Sequence, residues 1–309
     1  MVTRVSTSGN YASVLANLMA AQQRQVNAGD RLATQKNGSD LKDYAKKAET
    51  LTAMRTVERR LTAYQDQNGL ISAKLTTQDS ALVQVVDAAT ATRQAIADAL
   101  ASDRGDNLMQ DMQAQFQNAV EGMNTRYDGK YLFAGGQIDT KPVTATQLTD
   151  LTSGPAIASF FQNDQFKAQA KLDDSTTVTT GVLADNLGVN MLTGFQAIQA
   201  FHQGAGGPFN GQLTQAQRTF LQGVLANWDT IRSGTVAVAA QNGLVQQRVS
   251  QVKDSLVNQH DTLTMMVGDV TDADMAKAAT DLTSAQTAVQ AAAQVILSLR
   301  DTSLLNILR

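Results

Sequence analysis

The chain has 309 residues, 43% of them hydrophobic and only 5% aromatic, with no cysteine and a net charge of -3. This length supports two or three modest domains, and the charge excludes the basic field that neutralises nucleic-acid phosphates. The missing thiols exclude disulfides and thiolate chemistry; with His202 and His260 far apart, a zinc site would need unusual carboxylate ligation, so neither metal nor cofactor is expected.

The opening MVTRVSTSGNYASVLANLMAAQQ interleaves Ser, Thr and Asn with its apolar residues, which reads as helix and not as a Sec-type signal. Tyr11, Val14, Leu18, Ala21, Ala28 and Leu32 share one stripe of that charge-poor helix. No apolar run reaches about 18 residues, so no membrane span is expected. All three prolines, Pro142, Pro155 and Pro208, lie in the middle third, which permits long helices at both ends.

From Met54, the residues Val57, Leu61, Tyr64, Ile71, Leu75, Leu82, Val85 and Ile96 keep a three-four spacing, with gaps at Asn68, Gln78 and Thr92. That is a coiled-coil-like seam. A second one, Val249, Val252, Leu256, Leu263, Met266 and Val270, is expected to pair with it, placing Tyr64 and Ile71 near Val249, Val252 and Leu256. Further along, Asp103 or Asp106 is placed to cap a helix beside the tripeptide Arg104-Gly105-Asp106.

YDGKYLFAGGQIDTKP, Tyr127 to Pro142, breaks the helical pattern with aromatics, glycines and a proline. It predicts the exit from a helical rod into a small β-rich insert, with Tyr131 and Phe133 plugging the rod and Gly135, Gly136 and Pro142 shaping the junction. Within the insert, FKAQAKL alternates apolar and polar residues, Asp173, Asp174 and Ser175 supply a turn, and TTVTTGVL is β-branched: a hairpin. Helical spacing returns from Asn190 through Leu192, Phe195, Ile198 and Phe201, is interrupted by a flexible connection GAGGPFNG, and resumes from Leu213 to Trp228.

The phase breaks again at VTDADM, where Thr271 and Asp274 read as a capping box. A calcium loop at Asp269, Asp272 and Asp274 would lack its glycine and distal glutamate. The last helix carries Ala278, Leu282, Ala285, Val289, Ile296 and Leu299 on a stripe and ends in Leu304, Leu305, Ile307 and Leu308, with few charges anywhere around it. Such a helix wants neighbours on more than one side, so both terminal arms are expected to complete their packing in an assembly. No nucleophile, base or paired carboxylates stand at catalytic spacing, and an enzyme is not expected.

VSTSGNYASVLANLMAAQQRQVNAGDRLATQK resembles the N-terminal helix of bacterial flagellins and their relatives, and DVTDADMAKAATDLTSAQTAVQAAAQVILSLRDTSLLNILR is similar to their C-terminal helix. YLFAGGQIDTKPV is similar to the segment that precedes the small outer domain in the hook-filament junction branch of that family, and DDSTTVTTGVLADNLGVNMLTGFQAI to the strand, turn and helix that follow it. QKNGSDLKDYA departs from the glycine turn and Asp-Asp pair usual after the first helix.

The resemblance implies a mainly α fold, an antiparallel helical coiled-coil rod built from both chain ends with a small β-rich insert. Residues 1–41 and 271–309 would be terminal assembly helices, 42–137 and 189–270 the rod, and 138–188 the outer domain. It further implies a non-enzymatic secreted subunit, exported through the flagellar type III channel with a chaperone. Such a subunit would form a homo-oligomeric ring between a hook-side hook-associated protein and flagellin. A filament flagellin and an adhesin-like surface-binding homologue are the alternatives. The assembly residues would be Tyr11, Val14, Leu18, Leu32, Leu282, Val289, Ile296, Leu299, Leu304, Leu305 and Leu308.

Overall fold

The computed structural model describes residues 6–305, and the side chains of residues 12–299. In chain order the elements are α1 (Ser6–Thr34), α2 (Ala48–Ser102), α3 (Leu108–Met123), β1 (Arg126–Tyr127), β2 (Lys130–Tyr131), β3 (Gln169–Lys171), β4 (Thr177–Thr179), α4 (Ala184–Gln203), α5 (Gln215–Thr271) and α6 (Met275–Leu305). Short 3-10 turns occupy Leu41–Tyr44, Leu148–Thr152 and Ile157–Phe160. The fold is mainly α, with β1–β2 and β3–β4 as two small antiparallel hairpins.

The chain forms two compact units, Met1–Leu61 with Gln259–Arg309, and Thr62–Asn258. In the first, α1 packs antiparallel on α6. Ala21 and Ala28 on α1, and Ala278 and Ala285 on α6, are buried. Each pair is seven residues apart, so a small side chain returns to the contact every two turns and the backbones approach closely.

In the second unit the seam of α2 is a heptad row, Asn68, Leu75, Leu82, Ala89 and Ile96, all buried. Leu221, Trp228, Thr235, Asn242, Val249 and Leu256 form the matching buried row on α5. The sequence pattern treats Asn68, Gln78 and Thr92 as gaps. They are instead 0%, 1% and 0% exposed members of the seam, kept there because each finds a hydrogen-bond acceptor, Thr92 on its own helix at Ala88 O. Met266, counted as apolar seam by its spacing, is 47% exposed.

The core is centred where α3 and α4 join α2 and α5. Phe195 sits edge-on to Phe116 at 5.6 Å and to Trp228 at 4.8 Å between centroids, all three rings fully buried. The GAGGPFNG connection is pinned, contrary to the flexible loop its composition suggests. Phe209 is buried and stacks with Phe201, and the Gln217 side chain donates to the carbonyls of Gly206 and Pro208.

Three helix starts differ from expectation. Residue 107 is the N-cap of α3. Asp106 turns away to accept from Gly211 N and Arg104, and Asp103 takes Gln212 and Arg218. At the other break α5 continues through Thr271, whose hydroxyl donates to Asp272, so Asp274 alone caps α6 by accepting from Ala276 N and Lys277 N. Helix α4 begins at Ala184, ahead of the Asn190 suggested by apolar spacing.

Candidate assembly surface and insert junction

Where α1 ends and α5 gives way to α6, the chain is stitched together by backbone. Asn37 N donates to Thr271 O at 2.8 Å and Ala273 N to Gln35 O at 2.9 Å, with Gln35 in the left-handed region. The Asn37 amide donates to Asp272 O, the Lys36 ammonium pairs with Asp272 at 2.5 Å, and the Tyr44 hydroxyl reaches Gly38 O and Thr271 O. The QKNGSDLKDYA segment is therefore half of a clasp that fixes the root of the α1–α6 pair. Lys36 is the cation that, with the Thr271 hydroxyl, holds the Asp272 carboxyl below its usual range.

Above the clasp, Val14, Leu18 and Leu32 on α1 are half-buried, as are Leu282, Val289, Ile296 and Leu299 on α6. The expected stripe thus faces inward along the helix pair and is only partly covered. The side chains of Tyr11, Leu304 and Leu305, and the whole of Leu308, lie outside what the structure describes. A second apolar set was not singled out from the sequence: Leu15, Met19 and Val26 on α1 are 44%, 62% and 56% exposed, and Val295 and Leu297 on α6 are 45% and 58% exposed. Their signal was present as the spacing 15, 19, 26, one residue out of phase with the inner stripe. Together they give the pair apolar surface on more than its shared face.

The junction after α3 is a chain of specific turns. Asp128 and Gly129, both at positive φ, close the β1–β2 hairpin between Tyr127 and Lys130. Phe133 is fully buried, and its carbonyl accepts from Ala184 N at the start of α4. Tyr131 is half-buried under the Arg126 guanidinium, which lies 4.1 Å from the ring centroid. At the glycine pair, Gly136 N and Phe166 N both donate to one Asp164 oxygen, at 2.8 and 2.9 Å, and these amides hold the Asp164 carboxyl below its usual range. A Cβ on Gly135, at φ +70°, would collide with that carboxylate, so two glycines are needed to let it approach. Buried Pro142 ends the turn; its carbonyl accepts from Gln162 N, and the Asn124 amide brackets Val143 N and O like a strand partner.

The β3–β4 hairpin, its turn held by Asp173 accepting from Ser175 N and Thr176 N, rests on α2. The Tyr64 hydroxyl donates to Asp174, Gln67 to Lys171 O, Asn68 to Leu172 O and Gln78 to Thr180 O. Tyr64, expected against the returning helix, thus spends its hydroxyl on the hairpin turn.

Among the described residues no group of His, Asp and Glu is placed to hold a metal ion, and no helix is long and apolar enough to cross a membrane. Paired terminal helices with uncovered apolar surface, rooted by a clasp, together with a separate well-packed helical unit that holds a small insert, define a class of assembling structural subunits. The bacterial flagellin N-terminal helical region matches residues 5–137 and the flagellin C-terminal helical region matches residues 225–308. The chain belongs to the bacterial flagellin family. It is a structural component of the bacterial flagellum, exported from the cell, and not an enzyme.

Solved structures share the fold, among them the following two. A putative flagellar hook-associated protein from Vibrio parahaemolyticus aligns with TM-score 0.60 at 13% identity, covering 74% of this chain and 100% of that one. FlgL of Bacillus cereus aligns with TM-score 0.54 at 14% identity, covering 71% and 99%. No curated protein sequence matches the chain.

Proposed function

We propose that this protein is the hook-filament junction subunit of its flagellum, forming a homo-oligomeric ring between a hook-side hook-associated protein and flagellin, with an export chaperone covering its arms before secretion. The observation that carries the reading is the junction itself. Tyr131 to Pro142 leads, through glycines that a carboxylate seals, into an insert with one β3–β4 hairpin, and the chain then returns at once into α4. In this reading residues 1–41 and 271–309 are the assembly arms, 42–137 and 189–270 the rod, and 138–188 the outer domain.

The arms would meet neighbouring subunits through Leu15, Met19, Val26, Val295 and Leu297 and through the uncovered parts of the Val14, Leu18, Leu32, Leu282, Val289, Ile296 and Leu299 stripe, continued by Tyr11, Leu304, Leu305 and Leu308. Helices of this kind gain order when neighbours cover them. Immunogold labelling of intact flagella tests the reading: a single band at the hook tip supports the junction role, and label along the filament makes the chain a filament flagellin. Deleting residues 138–188 separates both from an adhesin, since a junction subunit keeps at least partial motility while an adhesin loses its ligand and assembles normally.

A further inference from the structure

Charge is distributed unevenly within the first unit. Residues 46–61 carry Lys46, Lys47, Arg55, Arg59 and Arg60 against Glu49 and Glu58, whereas residues 259–274 carry Asp261, Asp269, Asp272 and Asp274 and no lysine or arginine. The first turns of α2 and the last turns of α5 stand side by side here, since His260 Nε2 lies 4.0 Å from Glu58 Oε1. Each helix turns one side inward and leaves a charged face outside. On α2, Leu51 and Leu61 are buried and Met54 and Val57 half-buried, while Arg55 and Arg59, one turn apart, are exposed. On α5, His260, Leu263 and Val267 are half-buried, while Asp261, Met265 and Asp269 line the exposed far side, Met265 at 64%.

The other two acids of this stretch are engaged within the subunit: Asp272 holds Lys36, and Asp274 caps α6. Asp261 lies 3.6 Å from its neighbour His260 with its side chain 68% exposed. Among the described residues Asp269, Arg55 and Arg59 have no ion pair. The helix pair therefore presents cations on one outer face and anions on the other. Identical copies facing each other through the same patch would repel, whereas a head-to-tail contact sets cation on anion. The levels agree as well. Counting along the antiparallel helices from Glu58 and His260, Arg59 stands level with Gln259 and Arg55 with Leu263. Neighbours related by rotation about an axis along these helices keep that level, which brings Asp261 within ~3 Å of helix rise of both arginines. Asp269 continues the anionic face toward the level of Lys47.

We propose that the outer face of α2 at Arg55 and Arg59 docks on the outer face of α5 at Asp261 and Asp269 of the next copy of this chain, a head-to-tail contact repeated around the assembly. The inference rests on the ring-forming reading only in so far as copies stand side by side. Exposed ion pairs contribute little singly and are screened by salt, so these charges fix orientation and reject misaligned copies, while burial of Met265 and of the arm surface supplies affinity.

Charge exchange in the full-length protein, in cells lacking the parent gene, is the test. Arg55→Glu with Arg59→Glu makes both faces anionic, and Asp261→Lys with Asp269→Lys makes both cationic. Each reversed variant should keep the parent's thermal melt by circular dichroism, because all four side chains are exposed. Each should cut the protein retained on purified flagella at least ~10-fold, the change that about 1.4 kcal/mol produces, with the lost subunits in the medium. Combining the four substitutions in one chain, or expressing the two variants together, should recover most of the retention, since attraction returns between neighbours. Parental retention of either reversed variant overturns the proposal. Loss that neither the combination nor co-expression repairs also overturns it, because the faces then meet flagellin or the hook-side protein and not a second copy. Should a reversal unfold the subunit, Arg59→Asp and Asp261→Arg take its place and must show the same loss singly and recovery together; absence of either overturns the contact. Gold label along the filament would refute the junction position and leave this pattern intact, so the two readings fail separately.

Discussion

Replacing Leu15, Met19 and Val26 together by alanine should weaken assembly strongly and leave the isolated subunit as stable as before. The three side chains are 44%, 62% and 56% exposed, so between them somewhat more than one and a half side chains of apolar surface remain to be buried by a neighbour. Full burial of such a side chain contributes about 1.5–3 kcal/mol, and alanine keeps part of that surface, which leaves a loss of about 2–4 kcal/mol per subunit contact. At 1.4 kcal/mol per tenfold, the subunit affinity falls by roughly 30- to 1,000-fold. Sedimentation over a concentration series reads the association, and circular dichroism through a thermal ramp reads the fold. Because alanine favours helix, the melt should be unchanged or slightly raised. Normal association by the triple variant, or a clearly lowered melting temperature, would refute the assignment of this face to assembly.

Phe195→Ala removes the ring that joins Phe116 to Trp228 and should destabilise the second unit by about 3–5 kcal/mol, seen as an earlier denaturant midpoint. Asp274→Ala leaves Ala276 N and Lys277 N without their acceptor; losing that cap costs about 1 kcal/mol, and the first turn of α6 should exchange its amides faster. Asp164 and Asp173 have carboxyls depressed in the fold, by backbone amides of Gly136 and Phe166 in the first and, against an opposing desolvation, by amides of Ser175 and Thr176 in the second. Their contribution is therefore complete above the ordinary carboxylate pKa and lost as pH falls through the lower folded values. In an acid titration by NMR the Gly136, Phe166 and Ser175 amides should hold their shifts down past the ordinary range, and movement at or above it would contradict the clamps. Ending the chain at Asp274 should leave residues 62–258 folded while abolishing incorporation into flagella; unfolding, or normal filaments, would disprove the separation.

The long helices were legible because heptad spacing and the absence of proline state them locally, and the β3–β4 hairpin because alternation, turn residues and β-branched residues agree over Phe166 to Thr179. Less visible were features that depend on a distant partner. Asn68 and Gln78 look like interruptions until the carbonyls of Leu172 and Thr180 come to meet them. The spacing between Thr271 and Asp274 suits a capping box, but Thr271 O is claimed by Asn37 N from far away in sequence and α5 extends to include it. Phe209 gives no local sign that it will stack on Phe201 and fasten a glycine-rich loop. Of the assembly surface, the inner stripe was readable as a period, whereas Leu15, Met19 and Val26 emerge only once α6 is seen to cover a different face of α1.

Hydrogen exchange on the same protein, free in solution and assembled, tests most directly the claim that a self-sufficient body carries arms completed by their neighbours. Amides of residues 12–34 and 275–299 should exchange quickly in the free chain and become strongly protected on assembly, while those of 62–258 keep one slow rate in both states. Arms equally protected before and after assembly, or protection gained throughout 62–258, would contradict the account.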